Sequence, residues 1–197
     1  MSPVGGTVRL VESISMAQKA TVFKAELQVD DVDRHYYQTH ALTLARHASE
    51  TDERMMVRLF AFARHAGPAL SFGNGLSADD EPDLWVRDLT GAITLWIDVG
   101  MPELKLIRRA AGRANRVVVY AYGRGADSWW NELRADLGRI DNLAVFRLAT
   151  ESTLALAAIA ERTMRVHCLV QDGLASVSAN DTTIEIGIDS LKEIRQR

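Results

Sequence analysis

Alternating apolar and polar positions predict a β-hairpin near the start of the chain. Residues 20–29 and 36–45 both carry aromatic and β-branched side chains, and the polar run 30–33 connects them. The apolar period then changes to that of a helix, with Ser49 as its N-cap and Gly67-Pro68 at its end. The apolar positions of this helix recur at helical spacing: Met55, Met56, Leu59, Phe60, Ala63 and Ala66.

The middle of the chain continues this pattern in the order helix, three strands, helix, strand. Short apolar segments bounded by turn residues predict the four strands, at residues 69–72, 84–86, 93–99 and 117–122. The last of these is apolar throughout, which is typical of a strand buried on both faces. Pro102 suits the first turn of the intervening helix, which we expect to run to about Ala114.

The rest of the chain adds two helices and returns to β-structure. Periodicity predicts a helix at 126–138, a strand at 143–148, a helix at 151–162, and strands at 163–171, 174–178 and 182–188. Asp172-Gly173 is a strong hairpin signal between two of these strands. No repeat or linker divides the chain. We therefore expect one α/β domain with a mixed central sheet that carries helices, and with additional hairpins at both ends.

The composition is that of a soluble globular protein. Of 197 residues, 47% are hydrophobic and 25% charged, and the apolar runs are far shorter than the ~20 residues of a membrane helix. A net charge of −3 gives no general attraction to nucleic acid or anionic lipid, so a nucleic-acid role needs a local basic patch. With one cysteine, Cys168, and no signal peptide, we expect a cytoplasmic protein. Residues 1–15 are predicted to be an extension ahead of a natural start at Met16.

Acidic residues mark three of the predicted elements. Glu53 lies in the first turns of the first helix, an acidic run (Asp79, Asp80, Glu81 and Asp83) precedes the second of the three strands, and Asp98 ends the third. A carboxylate at the end of an apolar strand is costly to bury unless it is paired, hydrogen-bonded or bound to a metal. Carboxylates from neighbouring strands supply the ligands that Mg²⁺ prefers, and the metal would activate a water and stabilise charge on a phosphate.

Each acidic position also has a purely structural interpretation. The acidic run is consistent with a solvated loop, and Glu53 with a favourable charge at a helix N-terminus. Asp98 precedes Gly100 and Pro102, as a residue that caps a turn would. Spacing alone leaves both interpretations open.

Several motifs resemble, in order, those of the YaeQ family of small bacterial proteins. They cover the chain from Ala20 to its end and are Leu42-Thr43-Leu44-Ala45-Arg46-His47, Ser49-Glu50-Thr51, Glu53-Arg54-Met55-Met56, Ala78-Asp79-Asp80-Glu81-Pro82, Trp85, Leu95-Trp96-Ile97-Asp98, Gly100, Trp129-Trp130, Arg162-Thr163-Met164 and Gln171-Asp172-Gly173. The resemblance implies a variant of the PD-(D/E)xK nuclease fold. The core of that fold, a helix, three strands, a helix and a fourth strand, agrees with the order found from periodicity.

The resemblance also implies roles for particular residues. Glu53 matches the glutamate of the first helix better than Glu50, which we expect to be more exposed. Pro82-Asp83 is a literal match to the second motif, with Asp80 and Glu81 as neighbouring candidates, and Asp98 is the acid of the third. Where the pattern has lysine, two residues after Asp98, this chain has Gly100. Lys105 on the next helix is the nearest lysine that could replace it, with Arg108 and Arg109 one turn on.

These observations lead to two functional hypotheses. The first is a metal-dependent phosphodiesterase acting on nucleic acid, in which Glu53, Asp80 or Asp83, and Asp98 hold Mg²⁺ or Mn²⁺ and Lys105 replaces the missing lysine. The second is a nuclease-like scaffold without catalysis that binds nucleic acid or protein; Gly100 and the negative net charge favour it.

Aromatic and basic residues leave the same choice open. The four tryptophans (Trp85, Trp96, Trp129 and Trp130) suit either base stacking or a core, and the basic run Arg108, Arg109, Arg113 and Arg116 suits either phosphates or a solvated helix face. The histidines lack metal-ligand spacing, and no membrane partner is expected.

Overall fold

Strands β1 (Thr21–Asp31) and β2 (Tyr36–Arg46) form the predicted N-terminal hairpin in the computed structural model, which describes residues 20–73 and 81–195. The alternation along β1 buries Phe23, Ala25, Leu27 and Val29 on one face. The predicted extension 1–15 and the acidic residues Asp79 and Asp80 lie outside the described residues.

The other elements confirm the predicted order. They are α1 (Asp52–His65), β3 (Leu70–Phe72), β4 (Leu84–Arg87), β5 (Ile93–Val99), α2 (Leu104–Arg113), β6 (Val117–Ala121), α3 (Ala126–Leu137), β7 (Leu143–Leu148), α4 (Thr150–Ala158), β8 (Thr163–Gln171), β9 (Leu174–Ala179), β10 (Thr182–Ile186) and β11 (Ile188–Lys192). The N-cap of α1 is Thr51 and not Ser49, because Thr51 Oγ1 accepts a hydrogen bond from the Arg54 N–H (3.1 Å). Helix α4 ends four residues before the predicted position, at Ala158.

The strands form two mixed sheets and not the single central sheet expected. A six-stranded sheet has the order β11-β7-β6-β5-β4-β3, in which β5, β6 and β7 are parallel. The hairpins from the two ends of the chain join each other in a five-stranded sheet of order β10-β9-β8-β1-β2. They do so because β1 pairs with β8 in parallel, with Leu27 opposite Val166.

The predicted last strand, 182–188, is two strands in different sheets. The chain crosses from one sheet to the other at Gly187, whose N–H donates to Ser152 Oγ (3.1 Å) and whose carbonyl accepts from the Ala149 N–H (2.9 Å). A Cβ at this position would lie 2.9 Å from Ala149 Cβ, so the close approach to the start of α4 requires glycine. Beyond it, β11 pairs antiparallel with β7.

Helices α1 and α4 fill the space between the two sheets, and α2 and α3 cover the outer face of the six-stranded sheet. Every residue of α1 from Met55 to Ala63 is buried, because the helix has a sheet on either side. Ile97 and Val99 of β5 face this inner core, whereas Trp96 of the same strand faces the outer core under α2 and α3. In the parts of the chain described, no helix is long and apolar enough to span a membrane.

Candidate functional site

Acidic residues meet where the parallel strands of the six-stranded sheet end. Asp98 is the last but one residue of β5, and Asp83 directly precedes β4, which runs antiparallel to β5. The two are tied together reciprocally: the Val99 N–H donates to Asp83 Oδ2 (2.8 Å), and the Asp83 N–H donates to the Asp98 carboxyl. The carboxyl ends of parallel strands are where α/β sheets place their binding sites. The structure therefore brings together Asp83 and Asp98, as the sequence predicts.

The surroundings of Asp98 favour the protonated form of its carboxyl. It is partly buried, and its Oδ2 accepts a hydrogen bond from Trp96 Nε1 (2.9 Å). Burial, reinforced by the negative charge of Asp83, raises the pKa of Asp98 to about 7, although the hydrogen bonds and Arg54 act in the opposite direction. The protonated form of this carboxyl is thus well populated at neutral pH, and a cation bound beside it would favour ionisation.

Arg54 is the cation nearest to Asp83. Its Nη2 donates to Asp83 Oδ1 (2.7 Å) and Oδ2 (2.9 Å), and its Nη1 donates to Glu50 Oε1 (3.0 Å). Asp83 is only 5% exposed. Burial raises the pKa of Asp83, and Arg54 together with the Val99 N–H limits that rise.

Glu50 is buried, so the prediction that it is the more exposed of the two glutamates is wrong. Its exposed fraction is 4%, because it lies just before the helix that both sheets enclose. Arg58, itself 2% exposed, places Nη2 2.9 Å from Glu50 Oε2 and donates from the same nitrogen to the Ala45 carbonyl (3.1 Å). Glu50, Arg54 and Arg58 thus form a continuous ion-pair network that ends on Asp83.

Glu53 belongs to the same edge of the domain but not to this network. It is partly buried, and its Oε1 accepts a hydrogen bond from Thr153 Oγ1 of α4 (2.7 Å). Within residues 20–73 and 81–195, no three His, Cys, Asp or Glu side chains lie close enough together to hold a metal ion. A metal at this edge would therefore rely on Asp83 and Asp98, with other ligands from water or substrate.

The backbone at Gly100 disfavours lysine, the residue that the PD-(D/E)xK pattern would have at this position. Gly100 has φ +104°, a conformation that L-residues rarely adopt, and its N–H donates to the Tyr120 carbonyl (2.9 Å). Lys105 lies in the first turn of α2 with an exposed side chain, and it makes no ion pair with any residue the structure describes. Asp80, the remaining candidate, lies outside the described residues.

Sequence reasoning missed three residues of the site: Glu50 as a buried acid, Arg54 and Tyr122. Tyr122 follows β6, and burial raises its pKa to about 12, with the charge of Arg54 opposing and those of Glu53, Asp83 and Glu50 adding to the rise. The available signal was the spacing of four residues between Glu50, Arg54 and Arg58, which is typical of ion pairs along a helix, although Glu50 itself lies just before α1.

Comparison with known proteins gives a consistent answer. Residues 16–188 match the family described as "YaeQ protein". The chain is 38% identical over 179 residues to the uncharacterized protein YaeQ of Escherichia coli (strain K12), which covers 90% of this chain and 99% of that protein. The crystal structure of YaeQ protein from Xanthomonas axonopodis pv. citri superposes with a TM-score of 0.85 at 47% identity, covering 88% of this chain and 98% of that one.

A second solved structure agrees. The crystal structure of YaeQ protein from Pseudomonas syringae has a TM-score of 0.85 at 31% identity and covers 88% of this chain and 97% of that one. The family match, the relatives and the shared fold all extend over most of the chain. It therefore belongs to the YaeQ family.

Proposed function

We propose that this chain is a metal-dependent phosphodiesterase acting on nucleic acid, built on a variant of the PD-(D/E)xK nuclease fold. The observation that carries the proposal is the Asp83–Asp98 pair, at the start of β4 and the end of β5. The Asp83 carboxyl accepts from the Val99 N–H, and the Asp98 carboxyl accepts from the Asp83 N–H. One of them, Asp98, keeps a proton up to about pH 7 because of burial and the charge of its neighbour. Adjacent buried carboxyls with raised pKa values are typical of functional sites.

The donor set fits a hard divalent cation such as Mg²⁺ or Mn²⁺. Such ions need only one or two carboxylates when water and phosphate oxygens complete the shell, so the lack of a third described acid is compatible with binding. When bound, the metal lowers the pKa of a coordinated water and stabilises negative charge on a phosphate. Asp83 and Asp98 would hold it directly. Asp80 remains a proposed ligand, and Glu53 is proposed to contact the metal through a water, since no third described acid completes the cluster.

The remaining residues of the site act through charge and position. Arg54, fixed by Glu50 and Asp83, presents a guanidinium beside the carboxyl pair and supplies the positive charge that Gly100 does not. Because Glu50 and Asp83 already engage both of its Nη atoms, Arg54 acts through its charge and not as a direct phosphate ligand. Lys105, exposed at the start of α2, is proposed to contact a substrate phosphate and not the carboxyls.

A second function is favoured by one specific observation. Both oxygens of Asp83 are engaged by Arg54, and a carboxylate so neutralised is a weaker metal ligand than a free one. If Arg54 holds Asp83 permanently, the domain is a nuclease-like scaffold that binds nucleic acid or protein without cleaving it.

Metal binding separates the two functions. We would titrate Mn²⁺ and Mg²⁺ into the wild type and Asp98→Asn by calorimetry at pH 6.5, in buffers of different ionisation enthalpy. The proposal predicts saturable binding that releases a proton, because the metal displaces the proton of Asp98, and loss of both signals in Asp98→Asn. The control Asp136→Asn removes an equal charge from α3, where Asp136 pairs with Arg108, and should bind metal as the wild type does.

Cleavage of labelled oligonucleotides completes the test. Activity that requires Mn²⁺ or Mg²⁺ and disappears in Asp98→Asn but not in Asp136→Asn would support a phosphodiesterase. Equal activity in all three proteins would show that Asp98 has no part in it. Absence of both metal binding and cleavage in the presence of oligonucleotide would favour the scaffold.

A further inference from the structure

Part of the outer face of the six-stranded sheet carries tryptophan and arginine side chains in direct contact. Trp85 of β4 and Trp96 of β5 are register partners and so share one face. Arg87 lies over the ring of Trp85, with Cζ 3.6 Å from the centroid, and Arg113 of α2 lies over Trp96 at 5.5 Å. We name these four residues the Trp–Arg strip.

The strip joins the candidate site directly. Trp96 is the buried member of the strip, 4% exposed, and its Nε1 donates a hydrogen bond to Asp98 Oδ2 (2.9 Å). Trp85 is partly exposed, and Arg87 and Arg113 are exposed. The strip therefore begins at the proposed reacting carboxyl and continues along β4 and β5 towards the turn between them.

Positive charge follows the same direction along α2. Lys105, Arg109 and Arg113 are four residues apart and so lie on one side of the helix, the side that the contact of Arg113 with Trp96 turns towards β5. Lys105 is in the first turn of α2, six residues after β5 ends at Val99, and Arg113 is the last residue of the helix. A chain whose net charge is −3 thus concentrates basic residues beside the partly exposed Trp85 and its neighbour Trp96.

We infer that the Trp–Arg strip binds a single strand of nucleic acid and leads it to Asp98. A base stacks on the Trp85–Arg87 pair, and successive phosphates contact Arg113, Arg109 and Lys105. Aromatic rings and guanidinium planes are the surfaces on which unpaired bases stack, and a row of basic residues follows the phosphates. The inference names the substrate class of the proposed function and rests on that proposal for the role of Asp98.

The aromatic part of the strip selects an unpaired strand over a duplex. Within a duplex, both faces of each base are covered by neighbouring base pairs, so Trp85 and Arg87 would find only phosphates and groove edges. A surface for acidic peptides would need the basic row but not the stacked pair. The dependence of binding on Trp85 is therefore the distinguishing property.

Binding is measured in EDTA, so that no cleavage is needed. The probes are 12-nucleotide dT and rU strands and a 12-base-pair DNA duplex, each labelled for fluorescence anisotropy. The expected order of affinity is single strands above duplex, and the dT and rU probes distinguish DNA from RNA. A poly-glutamate peptide is the competitor for the alternative, and we expect it to displace the strands only weakly.

Substitutions in the Trp–Arg strip test whether the nucleic-acid strand binds there. Arg113→Gln should weaken binding about five-fold and lower the salt dependence by about 0.7 in the log–log slope, the value for one phosphate contact on a single strand. Its matched control is Arg108→Gln, because Arg108 is exposed on another side of the same helix and pairs with Asp136 of α3; it should bind as the wild type does. Trp85→Leu should weaken binding about ten-fold, whereas Trp85→Phe, which keeps a ring, should lose far less.

The outcomes also separate this inference from the proposed function. No strand binding at low salt, tighter binding of the duplex, equal losses in Arg113→Gln and Arg108→Gln, or strong competition by poly-glutamate would each overturn the strip. If Asp98→Asn loses metal-dependent cleavage while the Trp85 and Arg113 variants cleave as the wild type does, the phosphodiesterase proposal is supported and the strand-binding role of the Trp–Arg strip is refuted. If the protein binds strands with these variant effects but cleaves no oligonucleotide, the strand-binding role of the Trp–Arg strip is supported and the phosphodiesterase proposal is refuted.

Discussion

Replacement of Asp98 by asparagine should make the folded protein more stable at neutral and alkaline pH. Folding moves this carboxyl from water to a place beside Asp83, and its pKa rises from an ordinary value of 3.8 to about 7. Asparagine keeps an oxygen that can accept the hydrogen bond from Trp96 Nε1, but it has no charge to bury. The variant therefore keeps the geometry and removes the unfavourable ionisation.

The magnitude follows from the two pKa values. At ~1.4 kcal/mol per pKa unit, the difference corresponds to an upper limit of about 4 kcal/mol. Because the side chain is partly exposed and solvent screens its charge, we expect about 2 kcal/mol. The sign is set by proton binding: between pH 4 and pH 7 the folded wild type binds more protons at Asp98 than the unfolded chain, so its stability falls as the pH rises through this range.

In measurements on the wild type alone, the titration of His65 would mask this fall in stability. Burial, with the charges of Arg116, Arg64 and Arg34, lowers the pKa of His65 to about 3 from 6.5, and its Nε2 lies 2.9 Å from the hydroxyl of Tyr120. The unfolded chain binds the extra proton here, so His65 makes stability rise with pH between about 3 and 6.5. The difference between variant and wild type cancels this contribution and isolates Asp98.

Urea unfolding followed by far-UV circular dichroism gives that difference at each pH from 4 to 8. The stability of Asp98→Asn minus that of the wild type should be near zero at pH 4 and grow to about 2 kcal/mol in favour of the variant at pH 8. Asp136→Asn, on the surface of α3, should show no such growth. A variant less stable than the wild type at pH 8, or a difference that does not change with pH, would refute the reasoning.

Three further substitutions test the surroundings of the site. Arg54→Met leaves the buried Asp83 with the Val99 N–H and the charge of Arg58 but no hydrogen-bonded cation. Urea unfolding at pH 7.5 should therefore show a loss of about 3 kcal/mol that shrinks as the pH is lowered, because protonation of Asp83 removes the unpaired charge. His65→Gln should flatten the fall in stability between pH 6.5 and pH 4, as seen in thermal melts across that range, and an unchanged acid slope would contradict the assigned burial of the imidazole. Gly100→Lys restores the residue of the nuclease pattern but forces a side chain onto φ +104°, so the melting temperature should drop by the equivalent of about 1–2 kcal/mol, and a neutral substitution would contradict the strain.

The sequence predicts local structure well here because its patterns are local. The period of two in β1 and β2 and the apolar run of β6 identify these strands without knowledge of their partners. The pairing of β1 with β8 joins residues more than 130 positions apart, and no local period specifies a partner at that distance. This is why the strands were predictable and the division into two sheets was not.

The same limit explains the errors in the site. An amphipathic stripe implies one buried face, whereas α1 is enclosed by sheets on two sides and buries Arg58 as well as its apolar residues. Glu50 therefore lies inside the domain, where a one-sided helix would expose it. Asp83 and Asp98 were predictable because each is adjacent to a strand end, and the strand order alone brings those ends together.

The charges at the site are balanced for Asp83 but not for Asp98. Arg54 neutralises Asp83 with two hydrogen bonds, whereas Asp98 accepts hydrogen bonds from Trp96 Nε1 and the Asp83 N–H and forms no ion pair with any residue that the structure describes. A carboxyl kept for stability would have been given a cation or replaced by an amide, since either would remove the unfavourable ionisation. Its position at the end of the Trp–Arg strip is consistent with the proposed divalent cation, which would supply the positive charge that Asp98 lacks.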